Sequence, residues 1–172
     1  LNHFKADHIR PSTDRIKEVI FNKLQSDVDG ARVLDLFCGT GNLGLEAVSR
    51  GASLVHGVEL NFKSVQIIKD NIKLLQVTPE EMKVFKQDVF SFLKGEFTQG
   101  YDIILIDPPF TEKLGHEVMV ALGKSALGRY PSVAFIETGK GESLEKEYGP
   151  WVLVEHKNYG DKYLSLFKSN PS

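Results

Sequence analysis

Acidic residues stand at the ends of successive apolar segments of this sequence. Asp35 lies near the end of the first segment, Glu59 and Asp88 close the next two, and Asp107 closes a fourth. If these segments are parallel strands, their carboxyl ends meet at one edge of a sheet, where such sheets bind ligands. At that edge Asp35 is suited to bind an amine, and Glu59 is suited to accept hydrogen bonds from two ribose hydroxyls. Asp88 is suited to accept one from the exocyclic amine of an adenine. The first three acids thus indicate recognition of a cationic nucleoside; the alternative is three solvated acids.

Glycines follow the first of these acids. Gly39, Gly41 and Gly44 fit the spacing G-x-G-x-x-G, which on its own suggests a dinucleotide bound at a tight turn before a helix. Asp35, four residues before the first glycine, would repel a pyrophosphate. Both a dinucleotide and an amine-bearing nucleoside are therefore compatible with the turn, and the acid favours the second.

The fourth apolar segment ends in Asp107-Pro108-Pro109-Phe110. Two prolines end the strand and stiffen the loop, since proline fixes its own backbone and donates no hydrogen bond. The loop offers a carboxylate and a backbone carbonyl beside an aromatic ring. These groups suit a flipped nucleobase, with acceptors at its exocyclic amine and the ring of Phe110 stacked on it. The alternative is a rigid loop with a structural role only.

Alternating strand-like and helix-like segments position these residues. Their order predicts an α/β fold with a mostly parallel sheet and helices on both faces. We expect an extended arm over 1–11, and a leading helix over 12–26 with Ser12 as its N-cap. The sheet core is expected over 31–168. Predicted strands cover 31–37, 53–60, 82–87, 101–106, 132–137, 151–156 and 163–168, with helices over 43–50, 62–75, 89–93 and 117–127.

Composition restricts the class of protein further. The chain has 172 residues and a net charge of −2, which predicts one domain over 1–172 and a local basic patch for any polyanion partner. A single cysteine, Cys38, favours a reducing compartment, and we expect a cytoplasmic protein without a membrane segment. The five histidines lack the spacing of metal ligands, so no metal site is expected.

Ordered motifs carry a family resemblance. DLFCGTG, GVEL, QDV and DPPF resemble motifs I to IV of class I S-adenosylmethionine-dependent amino-methyltransferases. Within that class, RPSTDR (10–15), LGLEAVSRGA (43–52) and KNYGD (157–161) are similar to segments of the bacterial 16S rRNA (guanine(966)-N(2))-methyltransferase family. The resemblance extends over about residues 10 to 168. The family usually carries a basic segment before RPT, where this chain has LNHFKADHI, so part of the RNA-contacting surface is expected to be missing.

The resemblance implies a three-layer Rossmann-like fold. Its seven-stranded sheet would have the order 3-2-1-4-5-7-6 with the last strand antiparallel. The implied cofactor is S-adenosylmethionine, and the implied partner is rRNA, within an assembling small subunit or free, bound by a monomer. The residues implied at the cofactor are Asp35, Phe37, Cys38, Gly39, Thr40, Gly41, Glu59, Leu60, Asp88 and Val89. Those implied at the target guanine are Asp107, Pro108, Pro109 and Phe110. Those implied at the RNA are Arg10, Thr13, Arg15, Lys157 and Tyr159.

Three other functions stay open from the sequence. N6-adenine methylation of DNA or RNA is the nearest, because DPPF suits any exocyclic amine. An NAD-dependent oxidoreductase would use the glycines and Glu59, but it leaves DPPF unexplained and lacks a visible proton-donating pair. A catalytically silent RNA-binding module is the third, and the intact DPPF and the three acids argue against it.

Overall fold

Eight strands and five α-helices make up the fold in a computed structural model, which describes residues 11–169 and 171. The strands are β1 (Arg32–Leu36), β2 (Leu54–Glu59), β3 (Met82–Lys86), β4 (Ile103–Ile106), β5 (Ser132–Gly139), β6 (Glu147–Tyr148), β7 (Trp151–Tyr159) and β8 (Lys162–Ser169). The helices are α1 (Pro11–Leu24), α2 (Asn42–Ser49), α3 (Phe62–Leu74), α4 (Val89–Leu93) and α5 (Gly115–Lys124). Over these described residues, no helix is both long and apolar enough to cross a membrane.

The strands form one sheet in the order β3-β2-β1-β4-β5-β8-β7-β6. Pairs among β1 to β5 are parallel, whereas β8 pairs antiparallel with both β5 and β7. The predicted fold class and strand order are confirmed when β7 and β8 are counted as the sixth and seventh strands. The predicted number of seven strands is wrong, because a two-residue strand, β6, pairs with β7 at the edge. Two residues are too few to show a period-2 pattern in a sequence.

Helices cover both faces of the sheet, which gives three layers. On one face, α1, α2 and α3 pack on side chains that include Val33 and Leu105, and on the other α4 and α5 pack on side chains that include Leu34 and Ile104. Successive residues of a strand point to opposite faces, so a strand covered on both sides must be apolar throughout. All four residues of β4 are buried for this reason.

The leading helix begins earlier than the sequence suggested. Pro11 is its first residue, so the predicted extended arm over 1–11 is wrong at its last position, and Ser12 lies inside the helix instead of capping it. Proline suits the first helical position because its fixed φ matches the helix and its missing N–H would have no partner there. The helix ends at Leu24 and not at residue 26, and a 3-10 turn follows over Gln25–Val28. The rest of the arm, with Arg10, lies outside the described residues.

Candidate active site

Three carboxyl groups form a row across the centre of the sheet. Asp35 of β1 lies opposite Leu105 of β4, which in turn lies opposite Phe135 of β5. Asp107 and Glu137 each lie two residues further along these strands, so they share the face of Asp35 at the carboxyl ends. The negative charge of Asp107 raises the pKa of both Asp35 and Glu137, so the three groups interact electrostatically.

Asp35 is the most enclosed acid of the row. Its side chain is buried, and Oδ2 accepts a hydrogen bond of 2.9 Å from the backbone N–H of Gly44. Burial, with a smaller contribution from the charges of Asp107 and Glu59, raises the pKa of Asp35 to about 8, against the lowering effect of the Gly44 hydrogen bond. A cation brought beside Asp35 would favour its ionised form. The position therefore suits the ammonium group of an amino acid.

The turn after β1 has three residues in the left-handed region of backbone space. Phe37 has a φ of 59°, Gly39 of 54° and Gly41 of 92°. A Cβ added at Gly39 would meet no atom within 4 Å, whereas one at Gly41 would lie 2.5 Å from Cδ1 of Ile68. Gly39 thus leaves room above the turn for a ligand, and Gly41 allows α2 to pack on α3. Thr40, between them, is half-buried.

Glu59 joins the turn to the next helix. Its Oε1 accepts a 2.8 Å hydrogen bond from the N–H of Gly39, and its Oε2 accepts a 2.9 Å bond from the N–H of Asn61. A carboxylate oxygen has two lone pairs, so each oxygen can still accept a hydroxyl. Leu60 beside it is 59% exposed and offers an apolar surface at the same edge. These features fit a ribose beside an apolar face.

Asp88, the acid that follows β3, lies at the start of α4. Asp88 is exposed and caps this helix, because its Oδ2 accepts a 2.9 Å hydrogen bond from the N–H of Ser91. Val89 after it is buried in the layer beneath. Of these two residues, only the carboxylate of Asp88 and the backbone of Val89 are therefore placed to contact a nucleobase.

Cys38 lies at the base of the turn with its thiol in the core. It is buried, and its N–H donates a 3.0 Å hydrogen bond to the carbonyl of Val58. Burial, together with the charges of Asp35 and Glu59, raises the pKa of the thiol. A thiol that does not ionise is a poor nucleophile. The side chain of Cys38 therefore packs in the core, and any ligand contact would involve its backbone.

The loop over residues 107–110, called the proline loop, exposes its first and last residues to solvent. Pro108 is buried under the sheet edge, while Pro109 is exposed. The ring of Phe110 is 46% exposed, and the side chain of Asp107 is 34% exposed. A carboxylate and an aromatic face are thus accessible beside the turn of β1. This is the arrangement that the sequence predicted for a nucleobase.

Two charged residues, Glu137 and Lys162, complete the corner that Asp107 and Phe110 form at the strand ends. Neither was predicted from the sequence as a residue of the site. Glu137, two residues before the end of β5, is buried, and its Oε1 accepts a 3.3 Å hydrogen bond from Nζ of Lys162. Burial is the main cause that raises the pKa of Glu137, and Lys162 opposes it. Nζ of Lys162 also lies 3.8 Å from Oδ1 of Asp107. The rule that acids end the strands could have found Glu137, because it closes the predicted strand over 132–137.

Two of the residues implied at the RNA meet beside this corner. The guanidinium of Arg15 on α1 lies 5.3 Å from the ring centroid of Tyr159 on β7. Tyr159 is the cross-strand partner of Lys162. Lys157, on the same strand, is 57% exposed and forms an ion pair of 2.9 Å with Glu155. The structure does not describe Arg10 or the side chain of Thr13.

Within the described residues, no group of three or more histidine, cysteine, aspartate or glutamate side chains could hold a metal ion. The three acids of the row face a lysine and backbone N–H groups instead.

Comparison with known proteins gives close matches over nearly the whole chain. The family described as Conserved hypothetical protein 95 matches residues 1–168. Ribosomal RNA small subunit methyltransferase D of Haemophilus influenzae is 31% identical over 165 residues, which are 95% of this chain and 85% of that protein. A crystal structure of a candidate methylase from Haemophilus influenzae has a TM-score of 0.81 at 31% identity, over 92% of this chain and 99% of that one.

A more distant structure shares the fold alone. Magnesium protoporphyrin IX methyltransferase from Synechocystis, with bound SAM, has a TM-score of 0.68 at 15% identity, over 92% of this chain and 80% of that one. The resemblance stated from the motifs is confirmed by the family match and by these neighbours. The chain belongs to the Conserved hypothetical protein 95 family, a group within the class I methyltransferases.

Proposed function

We propose that this protein transfers the methyl group of S-adenosylmethionine to the exocyclic N2 amine of a guanine in small-subunit ribosomal RNA. The observation that carries the proposal is the pairing of Asp107 with the exposed ring of Phe110, next to the open glycine turn of β1. The relative from Haemophilus influenzae, named a ribosomal RNA small subunit methyltransferase, supports ribosomal RNA as the substrate.

Residues of the first three strands would hold the cofactor. The open space above Gly39, the two hydrogen-bonding oxygens of Glu59 and the buried carboxyl of Asp35 fit a nucleoside with an amino-acid tail. When bound, S-adenosylmethionine supplies a methyl group on a positively charged sulfur. The residues proposed to hold it are Asp35, Phe37, Cys38, Gly39, Thr40, Gly41, Glu59, Leu60, Asp88 and Val89.

Residues of the proline loop would hold the base. An exocyclic amine is a weak nucleophile, since its lone pair is delocalised into the ring. The carboxylate of Asp107 and a loop carbonyl would accept hydrogen bonds from its two protons, which favours a tetrahedral nitrogen with an exposed lone pair. Asp107 can also accept the proton that the amine must lose. Phe110 would stack on the base and Pro108 and Pro109 would keep the loop rigid.

The surface beside Phe110 would bind the RNA backbone. Arg15, Lys157 and Tyr159 lie on the same side of the sheet as Asp107, Thr13 belongs to α1, and Arg10 precedes that helix in the sequence. The net charge of −2 makes a general attraction to RNA weak, so a local group of this kind is needed. We propose that the substrate is ribosomal RNA, free or within an assembling small subunit, and that the enzyme acts as a monomer in the cytoplasm.

Mass spectrometry of nucleosides tests the reaction. Ribosomal RNA from cells with and without the gene is digested, and N2-methylguanine is expected to fall only when the gene is absent. Purified protein should restore it in RNA from the deleted strain, and parallel reactions with naked RNA and with small subunits identify the substrate. Appearance of N6-methyladenine instead would refute the guanine assignment and keep the methyltransferase class.

Calorimetry tests the cofactor independently of the substrate. Micromolar binding of S-adenosylmethionine and no binding of NAD are expected from the acids around the turn. Tight binding of NAD, without binding of S-adenosylmethionine, would favour the oxidoreductase alternative.

A further inference from the structure

Lys162 lies in a corner of the sheet where a lysine is unusual. Its side chain is 13% exposed, and lysine is seldom buried unless it is paired. Nζ lies 3.3 Å from Oε1 of Glu137, 3.8 Å from Oδ1 of Asp107 and 6.0 Å from the ring centroid of Phe110. Each of these residues stands on a different element from Lys162. The ammonium group therefore lies between the strand end of β5 and the proline loop.

The charges around the corner are mostly negative. Asp107 raises the pKa of both Asp35 and Glu137, so it is itself repelled by any negative charge on them. Lys162 places a cation within ion-pair distance of Asp107. The other charged or titratable groups around the corner are Asp35, Glu59, Glu137, Glu142, Lys113, Tyr159 and Arg15.

We infer that Lys162 is a positioning residue, which holds the Asp107 carboxylate in its ionised form at the target amine and offsets the repulsion of the neighbouring acids. The inference rests on the proposed function, since it assigns Asp107 to the amine. Glu137 holds the ammonium in place through its hydrogen bond, so that the charge stays beside the loop.

The position of Lys162 also connects the loop to the proposed RNA surface. Lys162 begins β8 directly after the turn from β7, and its cross-strand partner is Tyr159, under the guanidinium of Arg15. Contacts made by RNA at Arg15 and Tyr159 would therefore act on the strand end that carries the ammonium. The site for the base and the surface for the RNA backbone meet at this residue.

Lys162→Met tests the inference, because methionine keeps an unbranched side chain and removes the charge. A carboxylate that loses a cation at this distance is protonated at higher pH, by about one unit or more. The acid limb of the pH profile of kcat should move to higher pH by that amount. Affinity for S-adenosylmethionine should stay within a few fold. Lys162→Arg should restore the acid limb, since it restores a cation.

Two further variants separate charge from packing. Lys168→Met removes an exposed lysine on the same strand, about 20 Å away at 3.3 Å per residue, and should leave the acid limb unmoved. Glu137→Gln keeps an oxygen for Lys162, and it removes little charge at the acid limb because burial raises the pKa of Glu137. The limb should therefore stay close to its wild-type position. An upward shift in Glu137→Gln would overturn the inference, because loss of packing would then explain both variants.

A titration by NMR makes the test independent of activity. The carboxyl carbons of aspartate are labelled with ¹³C, the signal of Asp107 is assigned by its loss in Asp107→Asn, and its midpoint is compared between wild type and Lys162→Met. An upward shift supports the inference even if the wild type fails to methylate ribosomal RNA, which would refute only the proposed function. An unchanged midpoint of the Asp107 titration overturns the inference about Lys162. If Lys162→Met does not fold, the titration is made on Lys162→Gln, for which the same upward shift of the Asp107 midpoint is expected.

Discussion

Asp107 is the residue whose removal tests the proposed chemistry most directly. Asp107→Ala should lower the single-turnover rate by roughly 10²–10³, the usual effect of removing one oriented polar group at a reacting centre. Affinity for S-adenosylmethionine should change only a few fold, because the first three strands would hold the cofactor. Asp70→Ala, which removes an exposed acid of α3, is the control. An undiminished single-turnover rate in Asp107→Ala would refute the mechanism.

Phe110 should contribute to RNA binding through its exposed ring. Phe110→Ala is expected to weaken RNA binding by about 5- to 150-fold, which corresponds to 1–3 kcal/mol for stacking on one base. Phe110→Tyr keeps the ring and should bind almost normally. Leu74→Ala removes another exposed apolar side chain, on α3, and should have no effect. Filter binding with ribosomal RNA measures these affinities, and equal binding by Phe110→Ala and wild type would exclude stacking.

Residues at the ends of parallel strands could be predicted, because each follows its own apolar segment and the edge of the sheet brings them together. Asp35, Glu59, Asp88 and Asp107 were found in this way. The role of Lys162 could not be predicted, since it begins an antiparallel strand. Its contact with Glu137, 25 residues earlier, depends on the return of β8 to the edge of β5.

The turn between β1 and α2 contains two glycines, Gly39 and Gly41, that are needed for different physical reasons. Gly39→Ala places its Cβ in open space and should keep the fold, apart from a cost of about 1 kcal/mol for a left-handed alanine. It should weaken S-adenosylmethionine binding, because the methyl group enters the space above the turn. Calorimetry and thermal melting together measure this. Normal cofactor affinity in Gly39→Ala would mean that the ligand does not approach the turn.

Gly41→Ala should lower the stability of the fold in addition to any effect on the cofactor that the turn is proposed to hold. Its Cβ would lie 2.5 Å from Cδ1 and 2.6 Å from Cγ1 of Ile68, so α2 and α3 would have to move apart. Overpacking of this kind costs about 1–3 kcal/mol. Ile68→Ala removes both atoms, so the double variant should lose less stability than the sum of the two single variants. Strict additivity in thermal melts would exclude the contact.

Local sequence signals located most elements, and tertiary packing set the remaining bounds. Helix α4 was predicted at its observed bounds, because Asp88 is a strong N-cap before an apolar turn. Strand β7 extends to Tyr159, past the predicted end at residue 156, because β8 supplies hydrogen-bond partners for residues that are exposed and polar. Such residues give no apolar signal of their own.

The stability of the whole molecule should depend on pH through Asp35. Its carboxyl has a pKa of about 8 in the folded chain and near 3.8 in the unfolded one. Between these values the folded protein holds a proton that the unfolded chain has lost, so this contribution to stability falls as the pH rises from about 4 to about 8. From pH 5 to pH 8 the expected loss is roughly 3–4 kcal/mol.

Asp35→Asn removes this titration and keeps an oxygen for the N–H of Gly44. Its free energy of unfolding should change less between pH 5 and pH 8 than that of the wild type. Urea titrations followed by circular dichroism at several pH values give both curves, and Asp70→Asn serves as the control. Parallel curves for wild type and Asp35→Asn would contradict the raised pKa.

Trp151 makes the two ends of the sheet distinguishable by spectroscopy. It is the only tryptophan of the chain, it is fully buried, and it pairs through Ser169 with Ser132 at the start of β5. Glu137 lies five residues further along β5, about 16 Å away at 3.3 Å per residue. Intrinsic fluorescence therefore reports the opening of this distant end on unfolding, while a ligand at the strand ends leaves the indole in the same surroundings. One optical signal can thus follow folding in the presence of cofactor or RNA without being changed by their binding.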